Sequence, residues 1–296
     1  SQPVTVRLGS LNGGGLKLAN GSHLNAGNNT IDLVHAAAIN AENETGSIGI
    51  DNGDLLISST ASVSSNLYFD AVSNRVDTLN IDVAADVIVR SALNIGGTIR
   101  IKNGELQAGG LVTLLSTPAK TASIAEIKNS GSITGNVKVQ HYVESPGESW
   151  RDLATPVNGV TVAHWQNYFP VYGTFTGSSG PGEPSMLVSN GTTLTPYPPA
   201  GGSNNSPIEK AKGYHTRLAI SSAITLEVSG NPFQGNISFP LVAGTGGNTG
   251  WNLLGNPYAS PILWSDDSEA WTRSGVSRIA AVKENKVING ISVGQY

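Results

Sequence analysis

The strongest constraint on this chain is a rhythm in its first 115 residues. Short runs of β-forming residues recur there: LKL at Leu16, IDLV at Ile31, IGI at Ile48, LLI at Leu55, LYF at Leu67, LNIDV at Leu79, VIV at Val87, IRI at Ile99 and LVTLL at Leu111. Each alternates apolar with small or polar residues, the pattern of a half-buried strand. The spacing is irregular, about 8 to 17 residues, and Asn-Gly pairs at Asn20-Gly21, Asn52-Gly53 and Asn103-Gly104 supply the positive φ that tight corners need. Short strands with such corners, without long loops or evident pairing partners, fit rungs of a β-solenoid better than a sandwich. The one helical candidate is the alanine-rich stretch 35–44, which ends before Gly46 and reads equally well as a loop.

Composition supports an all-β chain with many turns. Charged residues make up 13% of the 296 positions, well below the usual ~25%, while the 39% hydrophobic content is enough to build a core. A net charge of -4, with 17 scattered Lys and Arg, offers no basic field for a phosphate backbone, so nucleic acid is not an expected partner. The absence of cysteine excludes thiolate metal and redox sites and fits a bacterial exterior rather than a disulfide-dependent secreted domain. No run reaches the ~18 apolar residues of a spanning helix, so membrane insertion is not expected. The opening Ser1-Gln2-Pro3 is consistent with a mature form whose signal peptide was removed.

The rhythm pauses at 116–132, STPAKTASIAEIKNSGS, and resumes in ITGNVKVQHYV. We place a packed joint there, dividing a solenoid-like domain over residues 1–131 from a β-sandwich, jelly-roll-like domain over 132–296. All five Trp lie in the second part. Its most distinctive words are SWRDLATPVNG at 149–159 and GWNLLGNPYASPILW at 250–264. Each sets an apolar triplet beside a tryptophan and ends in a proline corner, which predicts two core strands that stop at fixed turns. KGYHTRLAI, AITLEVSG and GNISFPLVAG complete an expected antiparallel series, with SMLV a further strand in the proline-rich stretch 173–202.

The words SWRDLATPVNG, AHWQNYF, KGYH and GWNLLGNPYASPILW, in that order, resemble a domain of large surface and secreted proteins of Bacteroidota exported by the type IX secretion system. The resemblance covers about residues 132–296. It implies an extracellular, adhesive or structural setting, and names no ligand or reaction. It also implies a further strand and a separate sorting domain beyond Tyr296; a sandwich without that strand would leave an edge open to a neighbouring copy.

Catalysis finds little support. The five histidines are far apart, with no HExxH, GxSxG or phosphate-cradling GK[ST] word, and GTGGNTG at 244–250 reads as a hairpin loop. Because solenoids also serve polysaccharide-cleaving enzymes, the carboxylates matter. Asp51 and Asp54 in the corner IDNGD, and Asp266 and Asp267, are candidate calcium ligands, with hydrogen bonding to backbone N–H as the competing role for the first pair. Trp165, Tyr168, Tyr172, Tyr197, Trp264 and Trp271 are candidate platforms for sugar rings, while Trp150 and Trp251 are expected in the core. Thr78, in the word Asp77-Thr78-Leu79, resembles an O-glycosylation acceptor of Bacteroidota secreted proteins. The expectation is a non-catalytic surface protein, adhesive or structural and able to self-assemble. The alternative is a polysaccharide-binding accessory module of a secreted enzyme.

Overall fold

A computed structural model describes residues 5–8, 18, 22–34, 46–59, 64–127, 129–144, 149–239, 241–244, 250–264, 271–276, 281, 284–288 and 291–295. The alternating runs become strands. They are β1 (Thr5–Leu8), β2 (His23–Gly27), β3 (Thr30–Val34), β4 (Ser47–Ser59), β5 (Ser65–Leu67), β6 (Phe69–Val89), β7 (Leu93–Gln107), β8 (Val112–Leu114), β9 (Ser123–Ile124), β10 (Ser132–Thr134) and β11 (Val137–Val143). The helical candidate at 35–44 and the corner at Asn20-Gly21 lie outside the described residues.

Every pairing among β1 to β10 is parallel, so the chain winds as a β-solenoid of about four turns. Pairing in register stacks like on like. Ile31 faces Leu55, Leu55 faces Leu79, Leu79 faces Ile99 and Ile99 faces Ile124. The first four of these five are no more than 1% exposed. A parallel column of this kind buries each aliphatic side chain between the rungs above and below it, about 4.8 Å away on either side. Each full burial contributes about 1.5–3 kcal/mol. Successive runs fuse into long bent strands, since LNIDV and VIV both belong to the 21-residue β6. The corners are β-bulges, seen as register shifts between Ile81, Asp82 and Asp86 against β7. Asn52 takes the positive φ of its corner (61°). Gly53 beside it passes so close to the Asn29 carbonyl oxygen that an added Cβ would lie 2.1 Å away.

Strands on both sides of residue 131 belong to one sheet. β10 pairs with β7, and β11 lies parallel to β8 on one edge. On its other edge β11 takes β16 (Ile224–Gly230) antiparallel, returned from far down the chain. The second half holds β12 (Ser149–Leu153), the short helix α1 (Val162–Gln166), β13 (Met186–Ser189), β14 (Leu194–Pro196) and β15 (Tyr214–Leu218), then β17 (Glu284–Ile288) and β18 (Ile291–Gln295). Four of these strands form a separate sheet in the order β12-β15-β13-β14, and β17 and β18 pair with each other.

This half is organised around aromatics. Trp165 meets Tyr214 edge-on at 5.7 Å and Phe169 at 6.2 Å. The Tyr214 hydroxyl accepts the Glu209 N–H at 2.8 Å, and burial raises its pKa far above the ordinary tyrosine value. KGYHTRLAI, AITLEVSG and SMLV form strands as expected, although AITLEVSG joins the solenoid sheet. The described residues of GNISFPLVAG, and 250–264, do not. The latter makes a single bridge, Lys212 to Leu254, and Trp251, expected in the core, is 58% exposed. The reason is chemical: Asn256 folds back to accept the Tyr258 N–H at 2.9 Å and donates to the Ser260 carbonyl at 2.7 Å, while Pro257 and Pro261 lack the donors a ladder needs. Trp150, the other expected core indole, is only half-buried and stacks on His215 at 4.6 Å.

Candidate functional site

The sugar-platform candidates fall into three settings. Trp165 is 1% exposed and belongs to the core; AHWQ forms α1, whose first turn turns the indole inward, and His164 Nδ1 accepts the Thr161 N–H at 3.1 Å to close that turn. It is not a platform. Tyr168, Tyr172 and Tyr197 are half-buried. Tyr197 packs on Tyr214 at 5.1 Å, donates its hydroxyl to the Pro207 carbonyl and has its pKa raised by burial. Tyr172 has Gly180 and Gly182 laid against its ring, an added Cβ on either lying within 4.0 Å.

Trp264 and Trp271 come together, with ring centroids 4.6 Å apart at 54°. Phe239 approaches Trp271 at 6.0 Å, and the Arg273 guanidinium lies 4.8 Å over Trp264 and 5.4 Å over Trp271. The Trp271 indole donates to the Leu263 carbonyl at 2.8 Å. Both indoles are half-buried. The cluster is a cation–π clamp that pins 261–264 against 271–273, so a large share of the ring surface is already occupied.

The solenoid carboxylates are tied into ladders between rungs. Asp82 accepts from Lys102 Nζ at 2.9 Å and Asn103 Nδ2 at 2.6 Å, and those donors hold its pKa below the ordinary carboxylate value. Asp86 accepts from Gln107 at 3.1 Å, Asp77 pairs with Lys120 at 2.6 Å, and Glu105 accepts from the Thr134 hydroxyl at 2.7 Å. Asp70 accepts the Val72 and Ser73 N–H groups at 2.8 and 2.9 Å and pairs with His23 at 2.9 Å. Its pKa is lowered, mainly by the two backbone donors. Asp54, a calcium candidate, accepts the Thr78 N–H from the next rung at 3.0 Å. Asp51 is half-buried in β4, and no group of three His, Cys, Asp or Glu able to hold a metal occurs among the described residues. Asp266 and Asp267 lie outside them. Thr78 sits half-buried in the middle of β6. Among the described residues no helix is long and apolar enough to cross a membrane.

One concave feature went unnoticed in the sequence. A cleft of about 570 Å³ opens on the solenoid, lined by Tyr68, Ile88, Val89, Arg90, Ser91, Gln107, Gly109 and Leu111. Leu67 faces Val89 and Ile88 faces Gln107 in the ladders, so Tyr68, Arg90 and Gly109 occupy corresponding places just beyond successive rungs. The signal was present only as spacings of 22 and 19 residues, invisible until the rung lengths are known.

Fold and surface define the class: an all-β solenoid continued into a unit with its own four-stranded sheet. Comparison of the chain with protein-family models, curated proteins and solved structures returns no match.

Proposed function

We propose that this chain is a non-catalytic, extracellular structural and adhesive module of a Bacteroidota cell surface, exported by type IX secretion. The supporting observation is how the solenoid uses its polar groups. The carboxylates Asp54, Asp70, Asp77, Asp82, Asp86 and Glu105 each hold a neighbouring rung or corner, which is the work of a scaffold rather than of groups kept available for acid–base chemistry. The solenoid sheet, which includes β10, is also tied to segments from far down the chain. Gln234 donates to the Ile133 carbonyl and accepts the Ile133 N–H, both at 2.8 Å, and Ala259 accepts the Ile124 N–H at 2.8 Å.

Self-assembly belongs to the same reading. Among the described residues β14 ends the four-stranded sheet and β16 ends the long one, and edge strands are templates for pairing between copies. Electron microscopy of the untagged protein isolated from its source tests this. Ordered filaments or sheets are expected; dispersed single particles that do not bind the surface of the source cells would overturn the proposal.

A further inference from the structure

We infer that the solenoid cleft around Tyr68 and Arg90 is a binding site for an acidic saccharide, one whose sugar rings carry a carboxylate or a sulfate ester. The inference rests on the adhesive reading above and supplies it with a ligand class. The cleft, at about 570 Å³, falls within the ~300–1,000 Å³ range of small-molecule sites, and its lining is mixed in the way a sugar requires. Tyr68, Ile88 and Leu111, all half-buried, give an aromatic and aliphatic floor for the apolar face of a pyranose ring. Gln107 donates its amide to Asp86 at 3.1 Å, which fixes the side chain and leaves Oε1 as an acceptor for a sugar hydroxyl.

The sign of the ligand follows from Arg90. Its Nε donates to Asn66 Oδ1 at 2.8 Å, a neutral partner that orients the guanidinium without neutralising it. Lys102 and Lys120 on the same solenoid are instead paired with Asp82 and Asp77. The two terminal nitrogens of Arg90 make no hydrogen bond among the described residues and form the fork that carboxylate and sulfate oxygens fit. Room for the ligand comes from the next rung. At the place corresponding to Arg90 stands Gly109, whose positive φ (57°) disfavours a side chain and where an added Cβ would meet nothing within 4 Å. A large residue there would fill the space over the guanidinium.

The test uses the intact chain and immobilised oligosaccharides: oligogalacturonate and chondroitin sulfate as acidic probes, laminarin oligosaccharides as a neutral one. Binding to at least one acidic probe is expected, falling as salt is raised, and weakened roughly tenfold or more by Arg90→Ala and by Tyr68→Ala. Trp264→Ala, in the other half, should leave it unchanged. Circular dichroism shows whether each variant is folded, and Arg90→Lys provides a milder change that keeps the charge but loses the fork. Failure to bind either acidic probe, equal binding of the neutral one, or affinity undiminished in folded Arg90→Ala would overturn the site. Attachment of the Arg90→Ala protein to source cells at the wild-type level would reject this site while leaving the adhesive reading standing.

Discussion

The two halves solve the same problem with opposite means. The solenoid repeats one contact, an aliphatic residue stacked on its counterpart in the next rung, so its core is a set of columns such as Ile31, Leu55, Leu79, Ile99 and Ile124. The second half gathers a few large aromatics, Trp165, Phe169, Tyr197 and Tyr214, about one centre. Around that centre it secures long stretches without regular structure by side-chain hydrogen bonds to the backbone: Asn252 to both the N–H and carbonyl of Val242, Ser189 to the Trp251 carbonyl, Tyr258 to the Gly235 carbonyl. Columns spread stabilisation evenly along the chain and make each member indispensable to two neighbours. Pinned loops concentrate it and leave apolar groups such as Trp251 and Leu263 in solvent, 58% and 79% exposed.

The largest expected effect tests that contrast directly. Leu79→Ala removes a fully buried member from the middle of a column and should cost about 2–5 kcal/mol in denaturant unfolding. Trp251→Ala deletes a far larger side chain from the surface and should stay within about 0.5 kcal/mol. Comparable losses in the two variants would mean that exposure at 250–264 does not reflect how little that segment contributes.

A smaller effect probes how the pinned stretch is seated. Gly255 lies against the neck of β15: an added Cβ would come 2.4 Å from the Lys212 carbonyl oxygen and 2.6 Å from the Ala154 Cβ. Because the nearest atom is backbone, Gly255→Ala must push 253–256 outward and break the Gly255 N–H bond to the Ala211 carbonyl, 3.1 Å long. We expect a loss of about 1–3 kcal/mol and faster limited proteolysis within 250–264, with the solenoid uncut. Wild-type cleavage rates would show that the segment yields without cost.

These differences also decide what was legible in the sequence. A period of two is enough to place a strand, so IDLV, LNIDV and IRI were found where they lie. Rung length was not visible, because partners are offset by 24 residues at Leu55/Leu79 but by 20 at Leu79/Ile99, and without it the Tyr68 and Arg90 cleft stayed hidden. In the second half the apolar triplet of GWNLLG matched a strand, but strand formation there depends on a distant partner, and the approach of Gly255 to Lys212 permits only one bridge. Aromatic residues gave no clue to exposure for the same reason: Trp165 and Trp251 differ in what folds over them, not in their local words.

The smallest effect separates the halves by pH. The carboxyls of Asp70 and Asp82 both sit below their ordinary value of 3.8, Asp70 chiefly through backbone donors and Asp82 through Lys102 and Asn103. A carboxylate with a depressed folded pKa binds fewer protons folded than unfolded across that window. Its stabilisation is therefore complete above about pH 4 and is lost as pH falls through the folded value. Asp82→Asn keeps an acceptor for Asn103 but gives up the charge facing Lys102, so it should lower the unfolding midpoint slightly at neutral pH and flatten its decline below pH 4 relative to wild type; Asp70→Asn should behave alike. Because all five tryptophans lie between residues 150 and 271, indole emission follows the second half while far-UV dichroism follows both. If the ladders act mainly within the solenoid, acid should shift the dichroism midpoint ahead of the emission midpoint, and Asp82→Asn should narrow the gap. Coincident midpoints at every pH would instead show that the shared sheet of β8, β11 and β16 makes the two halves unfold as one.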